Sequence, residues 1–119
     1  MKNSLTAITA TLLCTYSLGA HAEKLLTEHY EVTITSNCEE GEVSCSNVSY
    51  SGKNLKNGNS MQLNGSTMHS TCADGITPCQ FQGYAFKSGD IDYIVHSNGF
   101  LEVIQNQKIL VSEKGEWQH

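Results

Sequence analysis

Apolar and polar residues alternate along much of the chain from residue 29 onward. In 29–35, Tyr30, Val32 and Ile34 fall on one face and polar residues fall on the other. The same alternation recurs in 91–96, around Tyr93 and Val95. A period of two is typical of a half-buried β-strand. No long segment after residue 22 has a helical period, so the pattern predicts an all-β protein.

Turn residues divide the rest of the chain into short strands. Further strands are predicted at 47–51, around Met61 and Leu63, and at 67–71, 80–87, 100–105 and 108–112. Asn64-Gly65 and Asn98-Gly99 are typical hairpin dipeptides, and further turns are expected at 53–59, 88–90 and 106–107. In 80–87, alternation places Phe81 on the face opposite Tyr84. The last four strands predict an antiparallel meander, within a small β-barrel or sandwich.

Residues 1–22 have the features of a secretory signal peptide. Lys2 is followed by a mostly apolar stretch, 6–18, and by Ala20-His21-Ala22, whose small residues fit a cleavage site. The apolar stretch is too short to span a membrane, and no other long apolar run is present. The sequence therefore predicts a single β-domain, 23–119, that is periplasmic or secreted and has no transmembrane segment.

Removal of the leader takes away Cys14 and leaves four cysteines in two similar loops. Cys38 and Cys45, like Cys72 and Cys79, bound the pattern C-x2-G-x3-C, at an offset of 34 residues. Tyr50 and Tyr84 lie at the same offset, as do several other identical pairs. We interpret this as an internal duplication with units 33–65 and 67–99. Two units that share one core would each be too small to fold alone.

An even number of cysteines in a short secreted chain indicates disulfides. Four cysteines allow three connectivities, and we favour the local pairs Cys38–Cys45 and Cys72–Cys79. Gly41 and Gly75 would supply the positive φ that such short loops need. The spacing differs from that of zinc sites, so no metal is assigned to these cysteines.

Charge restricts the class of partner. The chain has 12 acidic residues against 7 lysines and no arginine, for a net charge of −5. Loss of Lys2 with the leader leaves six lysines, a net charge of −6. Phosphate recognition needs clustered basic residues, so nucleic acid is excluded as the expected partner. An acidic surface instead favours a basic protein.

Motifs of catalysis are sparse, and no catalytic residue, cofactor or metal is assigned. The chain has no G-x-S-x-G or S-x-x-K sequence, and both cysteine pairs are expected to be oxidised. The chain is therefore not expected to be an enzyme. Met61, Met68 and His69 supply ligand types that suit copper(I), but core methionines and a surface histidine are the more ordinary interpretation.

Trp117 lies near the C-terminus, in a short final segment. Burial of one large aromatic side chain contributes much to a small core. We therefore expect Trp117 to dock onto the end of the β-domain.

The size, leader, disulfides and β-meander together resemble those of the small periplasmic inhibitors of lysozyme. The resemblance extends to Ser51-Gly52-Lys53 and Ser88-Gly89-Asp90, which match the first half of the S-G-x-x-Y pattern of those inhibitors. Tyr93 lies one residue later than that pattern requires. The resemblance implies a compact β-barrel that inserts a loop into the cleft of a lysozyme.

The expected function is binding of a protein, with inhibition of a basic, cell-wall-directed hydrolase by occlusion as the leading hypothesis. An envelope interaction module without inhibitory activity and a small-ligand or copper(I) binder are the alternatives. The candidate contact residues lie in predicted turns or directly next to them. They are Lys53, Lys56, Ser88, Asp90 and Asp92, with Glu39, Glu40 and Asp74 in the cysteine loops.

Overall fold

A computed structural model describes residues 21–39 and 41–118 of the chain. Nearly all of the predicted signal peptide lies outside these residues, as does the candidate contact Glu40. The last two residues of the predicted leader, His21 and Ala22, begin the first strand of the structure.

The described chain is all-β, as predicted, and forms one nearly closed antiparallel barrel. Nine strands follow one another around a single sheet in the order β8-β7-β6-β5-β4-β3-β2-β1-β9. The strands are β1 (His21–Leu26), β2 (Tyr30–Ser36), β3 (Val48–Asn54), β4 (Ser60–Thr71), β5 (Pro78–Ser88), β6 (Ile91–His96), β7 (Phe100–Gln105), β8 (Lys108–Lys114) and β9 (Glu116–Gln118). The predicted C-terminal meander corresponds to β5–β8.

The last two strands bring the two sides of the barrel together. β8 pairs with β7, and β9, one residue further on, pairs with β1. Gly115 joins them, and its N–H donates to the carbonyl of Gly99 at 2.8 Å. A Cβ at Gly115 would lie 2.6 Å from the carbonyl oxygen of Leu26, closer than real Cβ contacts. Absence of a side chain at this position therefore allows the close approach of β9 to β1.

The core consists of the inward-facing residues of successive strands. Val32 and Ile34 alternate with outward residues on β2, as the sequence pattern predicts, and the other strands contribute in the same way. The remaining buried members are Leu25, Cys45, Val48, Tyr50, Tyr84, Phe86, Val95, Leu101 and Val103. Removal of these side chains from water is the main favourable contribution to folding.

The barrel has two chemically different ends. The disulfide end comprises the loops 37–47 and 72–77 and the β6–β7 turn, 97–99. The cavity end, named for the cavity described below, comprises the turns 27–29, 55–59, 89–90 and 106–107. Both disulfides are local, as predicted, with Cα–Cα distances of 5.9 Å for Cys38–Cys45 and 5.1 Å for Cys72–Cys79.

The predicted turn at Asn64-Gly65 is wrong, because β4 runs without interruption through this dipeptide. β3 pairs with Asn64 and Gly65 on one side, and β5 pairs with Gly65 on the other. A Cβ at Gly65 would collide with the backbone carbonyl of Ala85 and the ring of Phe86. Gly65 therefore serves close strand packing instead of a turn.

The predicted orientation of Phe81 is also wrong. The pairing of β4 with β5 shifts between Met68 and His69, and Gly83 has a φ of 141° at this irregularity. The extra residue reverses the alternation that precedes it. Phe81 and Tyr84 therefore share a face, with ring centroids 5.2 Å apart.

The proposed duplication corresponds to two disulfide-closed hairpins, β2–β3 and β4–β5. Their registers differ by one residue: Ile34 pairs with Tyr50, whereas Met68 pairs with Gly83 instead of Tyr84. The two hairpins share a topology, and their common origin stays a prediction.

Candidate functional site

The five candidate contact residues lie at the cavity end, in two groups separated by β4. Lys53 and Lys56 lie in and after β3, whereas Ser88, Asp90 and Asp92 belong to the β5–β6 hairpin. The Asp92 carboxylate lies 2.7 Å from the Lys87 ammonium.

Asp90 has partners on the neighbouring turn. Its carboxylate accepts hydrogen bonds from Gln105 and Asn106 at 3.1–3.4 Å. Asp90 and Asp92 thus already have partners within the protein, whereas the structure brings Glu39 and Asp74 to the opposite end.

The disulfide end is acidic and presents apolar side chains. Glu39, Glu42 and Asp74 are exposed, and its two loops contain no lysine. Val43 is 67% exposed in the first loop, and Ile76 is 82% exposed in the second. Val43 and Ile76 are therefore apolar side chains at this end that are available for contact with another protein.

Asp74 organises the second loop. Its carboxylate accepts hydrogen bonds from the backbone N–H groups of Ile76 and Thr77 at 2.9 Å, and from the Thr77 hydroxyl. The Thr77 hydroxyl bond, followed by the backbone bonds, lowers the pKa of Asp74 to about 2. This carboxylate is therefore ionised at every physiological pH and holds the loop in one conformation.

The second loop closes a hairpin that projects beyond the barrel. In the projecting hairpin, residues 69–81, β4 and β5 pair only with each other, because β3 pairs with β4 up to Gly65 and β6 pairs with β5 from Gly83. The first loop stays close to the barrel, where the Cys45 N–H donates to the Thr67 hydroxyl at 2.9 Å. The end of this two-stranded hairpin is thus closed by the Cys72–Cys79 disulfide.

Aromatic residues support the base of the projecting hairpin. The His69 and Phe81 rings have centroids 5.7 Å apart. His69 Nε2 lies 3.0 Å from the Thr67 hydroxyl, and Nδ1 is buried without a hydrogen-bond partner among the described residues. The Tyr84 hydroxyl donates to Glu23 at 3.1 Å, and burial, with the nearby Glu23 charge, raises the pKa of Tyr84 to about 12.

Trp117 docks onto the barrel, as expected. Its side chain packs against the core, and its Nε1–H donates to the Ser97 carbonyl at 2.9 Å. With Glu23, Phe81, Tyr84 and Gln118, these two residues line a small cleft of about 190 Å³ at the disulfide end.

A larger cavity, of about 360 Å³, opens at the other end of the barrel. Tyr30, Tyr50 and Tyr93 line it together with apolar side chains from β4, β7 and β8. The complete lining is Tyr30, Tyr50, Gly52, Asn54, Asn59, Ser60, Met61, Tyr93, Leu101, Val103, Leu110 and Val111. None of these residues carries a charge.

Gly52 determines the position of the Tyr50 ring. A Cβ at Gly52 would lie 2.5 Å from the Tyr50 hydroxyl and 2.6 Å from a ring carbon. The ring lies across the backbone of its own strand, with its centroid 5.7 Å from that of Tyr93. Burial raises the pKa of both Tyr50 and Tyr93, so both hydroxyls remain protonated at neutral pH.

A polar cluster at the cavity end connects the β1–β2 turn to β8. We call this cluster, formed by Thr27, His29 and Glu113, the Glu113 latch. The Glu113 carboxylate accepts hydrogen bonds from the Thr27 hydroxyl at 2.7 Å and from the His29 N–H at 3.2 Å. The other carboxylate oxygen lies 2.6 Å from His29 Nδ1.

Ionisation strengthens the latch. The side-chain bond to Glu113 raises the pKa of His29. Burial alone would raise the pKa of Glu113, but the bonds from His29 and Thr27 outweigh it, and the pKa of Glu113 falls below its usual value. Both shifts favour the ion pair over the neutral groups.

The structure separates the residues considered for copper. Met61 lines the cavity at one end of β4, and His69 lies at the base of the projecting hairpin, near the other end. The eight residue-to-residue steps of strand from Met61 to His69 correspond to roughly 26 Å. Met68 faces outward, opposite to both. Among the described residues, no group of three or more histidine, cysteine, aspartate or glutamate residues could hold a metal ion.

The cavity was not predicted, although one pattern could have pointed to it. Tyr30, Tyr50 and Tyr93 each occupy the apolar face of a strand that alternation had predicted. Three tyrosines facing inward from different strands are candidates for a shared, partly polar interior.

No protein-family model, curated protein or solved structure matches this chain. No helix in the described part of the chain is long and apolar enough to cross a membrane.

Proposed function

We propose that this protein is a secreted binding protein that occludes a basic, cell-wall-directed hydrolase with its disulfide end. The projecting hairpin carries the proposal, because it extends beyond the neighbouring strands, is closed by a disulfide and has the exposed side chain of Ile76 at its tip. Two disulfides also favour an oxidising compartment such as the periplasm.

Rigidity of the hairpin favours insertion into a concave site. Binding costs free energy when loops and side chains become ordered. In the second loop, the Cys72–Cys79 bond and the hydrogen bonds to Asp74 already restrict the backbone before a partner arrives. A preorganised loop with an apolar tip resembles the central anchor of a protein interface.

Charge supports the choice of a basic partner. Glu39 and Glu42 in the first loop and Asp74 in the second belong to loops without lysine. Complementary charge raises association rates and suppresses binding to acidic proteins. Many lysozymes are cationic, so such a surface would attract them from solution.

The test is inhibition of a panel of basic lysozymes, muramidases and amidases by the purified oxidised protein. Ile76→Ser is expected to weaken inhibition about tenfold or more, since a buried apolar anchor contributes on the order of 2 kcal/mol. Leu55→Ser is the matched control, because Leu55 is exposed at the opposite end of the barrel. Absence of inhibition across the panel, or equal effects of the two variants, would contradict the proposal.

Charge can be tested separately from the apolar tip. Glu39→Gln with Glu42→Gln is expected to slow association and to reduce its salt dependence, with a smaller effect on dissociation.

The free edge of β8 favours a second candidate, an envelope interaction module without inhibitory activity. Among the described strands, β8 pairs only with β7, so its other edge has backbone groups available to an added strand. Capture of a host envelope protein, lost on substitution of Leu110 by proline, would favour this candidate. Capture of a foreign hydrolase, lost on Ile76→Ser, would favour occlusion.

A further inference from the structure

The cavity at the cavity end is large enough for a molecule of two fused rings. An engineered protein cavity of about 150 Å³ binds benzene, and the present cavity has more than twice that volume at about 360 Å³. Volumes of roughly 300–1,000 Å³ are typical of small-molecule sites, which often lie in the mouths of β-barrels. The cavity therefore meets the size requirement of a ligand site.

The chemistry of the lining restricts the class of ligand. Its walls include the apolar side chains of Leu101, Val103 and Val111, and no lining residue is charged. A charged ligand would lose its hydration without gaining a counter-ion there, which is costly. A neutral and largely apolar ligand meets no such cost.

Three tyrosines supply polar groups at fixed positions. Tyr50 is only 3% exposed, and its ring is in contact range of the Tyr93 ring. Tyr30, Tyr50 and Tyr93 all line the cavity, and burial raises the pKa of Tyr50 and Tyr93, so these two hydroxyls stay protonated at neutral pH. Because tyrosine hydroxyls are donors when protonated, they can bind an acceptor oxygen of a ligand.

The entrance lies between the β3–β4 turn and the free edge of β8. Met61 and Leu110 are exposed there and also line the cavity. Both side chains can therefore contact a ligand as it enters and cover part of its surface once bound.

We propose that this cavity binds a small neutral molecule with one to three rings and a carbonyl or ether oxygen that accepts a hydrogen bond from the tyrosines. The site lies at the opposite end of the barrel from the projecting hairpin. It is therefore independent of the proposed occlusion of a hydrolase.

The probe for the test is Prodan, a neutral naphthalene ketone whose fluorescence shifts to the blue in an apolar site. The oxidised wild-type protein is expected to shift it saturably, with a dissociation constant on the order of micromolar. N-phenylnaphthylamine is a neutral probe without the carbonyl group. Anilinonaphthalene sulfonate, which is anionic, is expected to bind at least tenfold more weakly than Prodan.

Two variants locate the binding. Met61→Trp fills the entrance and is expected to weaken Prodan binding at least tenfold, whereas Ile109→Trp adds the same ring on the exposed edge outside the lining. Tyr50→Phe keeps the ring and removes the hydroxyl. It is expected to weaken Prodan about fivefold and to leave N-phenylnaphthylamine unchanged. Thermal melts of each variant distinguish loss of binding from loss of fold.

The proposal would be overturned by the absence of a saturable shift with the wild-type protein, by equal effects of Met61→Trp and Ile109→Trp, or by a preference for the anionic probe. The proposal would also be overturned if the cavity residues became protected from hydrogen exchange only in a complex with another protein. The cavity would then be a binding site for a side chain of that partner. Ile76→Ser is expected to leave Prodan binding unchanged. If the protein fails to inhibit hydrolases, the proposal of a ligand in the cavity is unaffected. If Prodan fails to bind, the proposal of hydrolase occlusion is unaffected.

Discussion

The two disulfides close loops of the same length but are expected to contribute unequally to stability. Each joins cysteines seven positions apart. The chain-entropy relation gives about 2.5 kcal/mol for a loop of this size, whichever pair is considered. Equal contributions would follow if loop length alone decided the matter.

The two disulfides are expected to differ in their contribution to stability because they lie in different places in the fold. Cys45 is 7% exposed, belongs to the core, and exchanges backbone contacts with Thr67. Replacement of Cys38 and Cys45 by alanine is therefore expected to lower the free energy of unfolding by about 2.5–4 kcal/mol, which includes lost packing.

The second disulfide, Cys72–Cys79, closes a hairpin whose residues pair with no other strand of the barrel. After Cys72→Ala with Cys79→Ala, the projecting hairpin can open while the barrel stays folded, and the native state recovers the chain entropy. The loss of global stability cannot exceed the free energy that keeps the hairpin closed, and this free energy is small. We expect a loss of less than about 1 kcal/mol in global stability, with faster hydrogen exchange in 69–81.

Urea unfolding can be followed by the fluorescence of Trp117, the only tryptophan in the chain, with hydrogen exchange measured in parallel. Ala73→Ser, an exposed change within the second loop, is a control expected to lie within about 0.5 kcal/mol of the wild type. Equal losses for the two double variants would refute the reasoning. Unchanged exchange in the hairpin after removal of its disulfide would refute it as well.

Three further predictions concern closure of the barrel. The raised pKa of His29 and the lowered pKa of Glu113 make the latch strongest between pH 4.5 and 6.5. Above this window the His29 imidazolium loses its proton, and below it the Glu113 carboxylate gains one; in both cases the stability that the ion pair contributes is lost. Glu113→Gln should therefore make the melting temperature depend less on pH. Gly115→Ala is expected to cost about 1–3 kcal/mol in urea unfolding because of the contact with β1, whereas Ser112→Ala should cost less than about 0.5. Trp117→Phe should cost about 1–3 kcal/mol through the lost indole hydrogen bond and part of the ring, and an unchanged melting temperature would contradict docking.

Regular alternation explains which strands could be predicted. In β2 and β6, residues such as Val32 and Val95 report directly which face is buried, and Asn98-Gly99 forms the turn that its local preferences favour. These features depend on neighbouring residues alone, so one sequence is sufficient to find them.

Features that depend on distant strands escaped prediction. Asn64-Gly65 has the composition of a turn, but pairing on both sides of β4 overrides this preference. β1 was not predicted, because Leu25 is its only buried residue among those whose burial is described. β9 has three residues, and its position depends on β1.

The same distinction holds for the candidate sites. The sequence predicted correctly that Lys56 and Asp90 lie in turns, whereas Lys53, also predicted in a turn, lies in β3. That these residues lie at the same end of the barrel could be known only from its topology. The inward faces of Tyr30 and Tyr50 also followed from alternation. A cavity depends on the distance across the barrel and on the free edge of β8, neither of which a pattern along one strand records.

Pairing of β1 with β9 has a consequence for the order of folding. Lys24 pairs with Gln118, so the contact that completes the barrel joins residues 94 positions apart. Contacts at such separation form slowly, because ordering of the ends must precede the gain from pairing. A ribosome-bound chain cannot form this contact before Gln118 has been synthesised and has left the ribosome. We therefore expect the hairpins to assemble first, with β1 joining β9 in the final and slowest step.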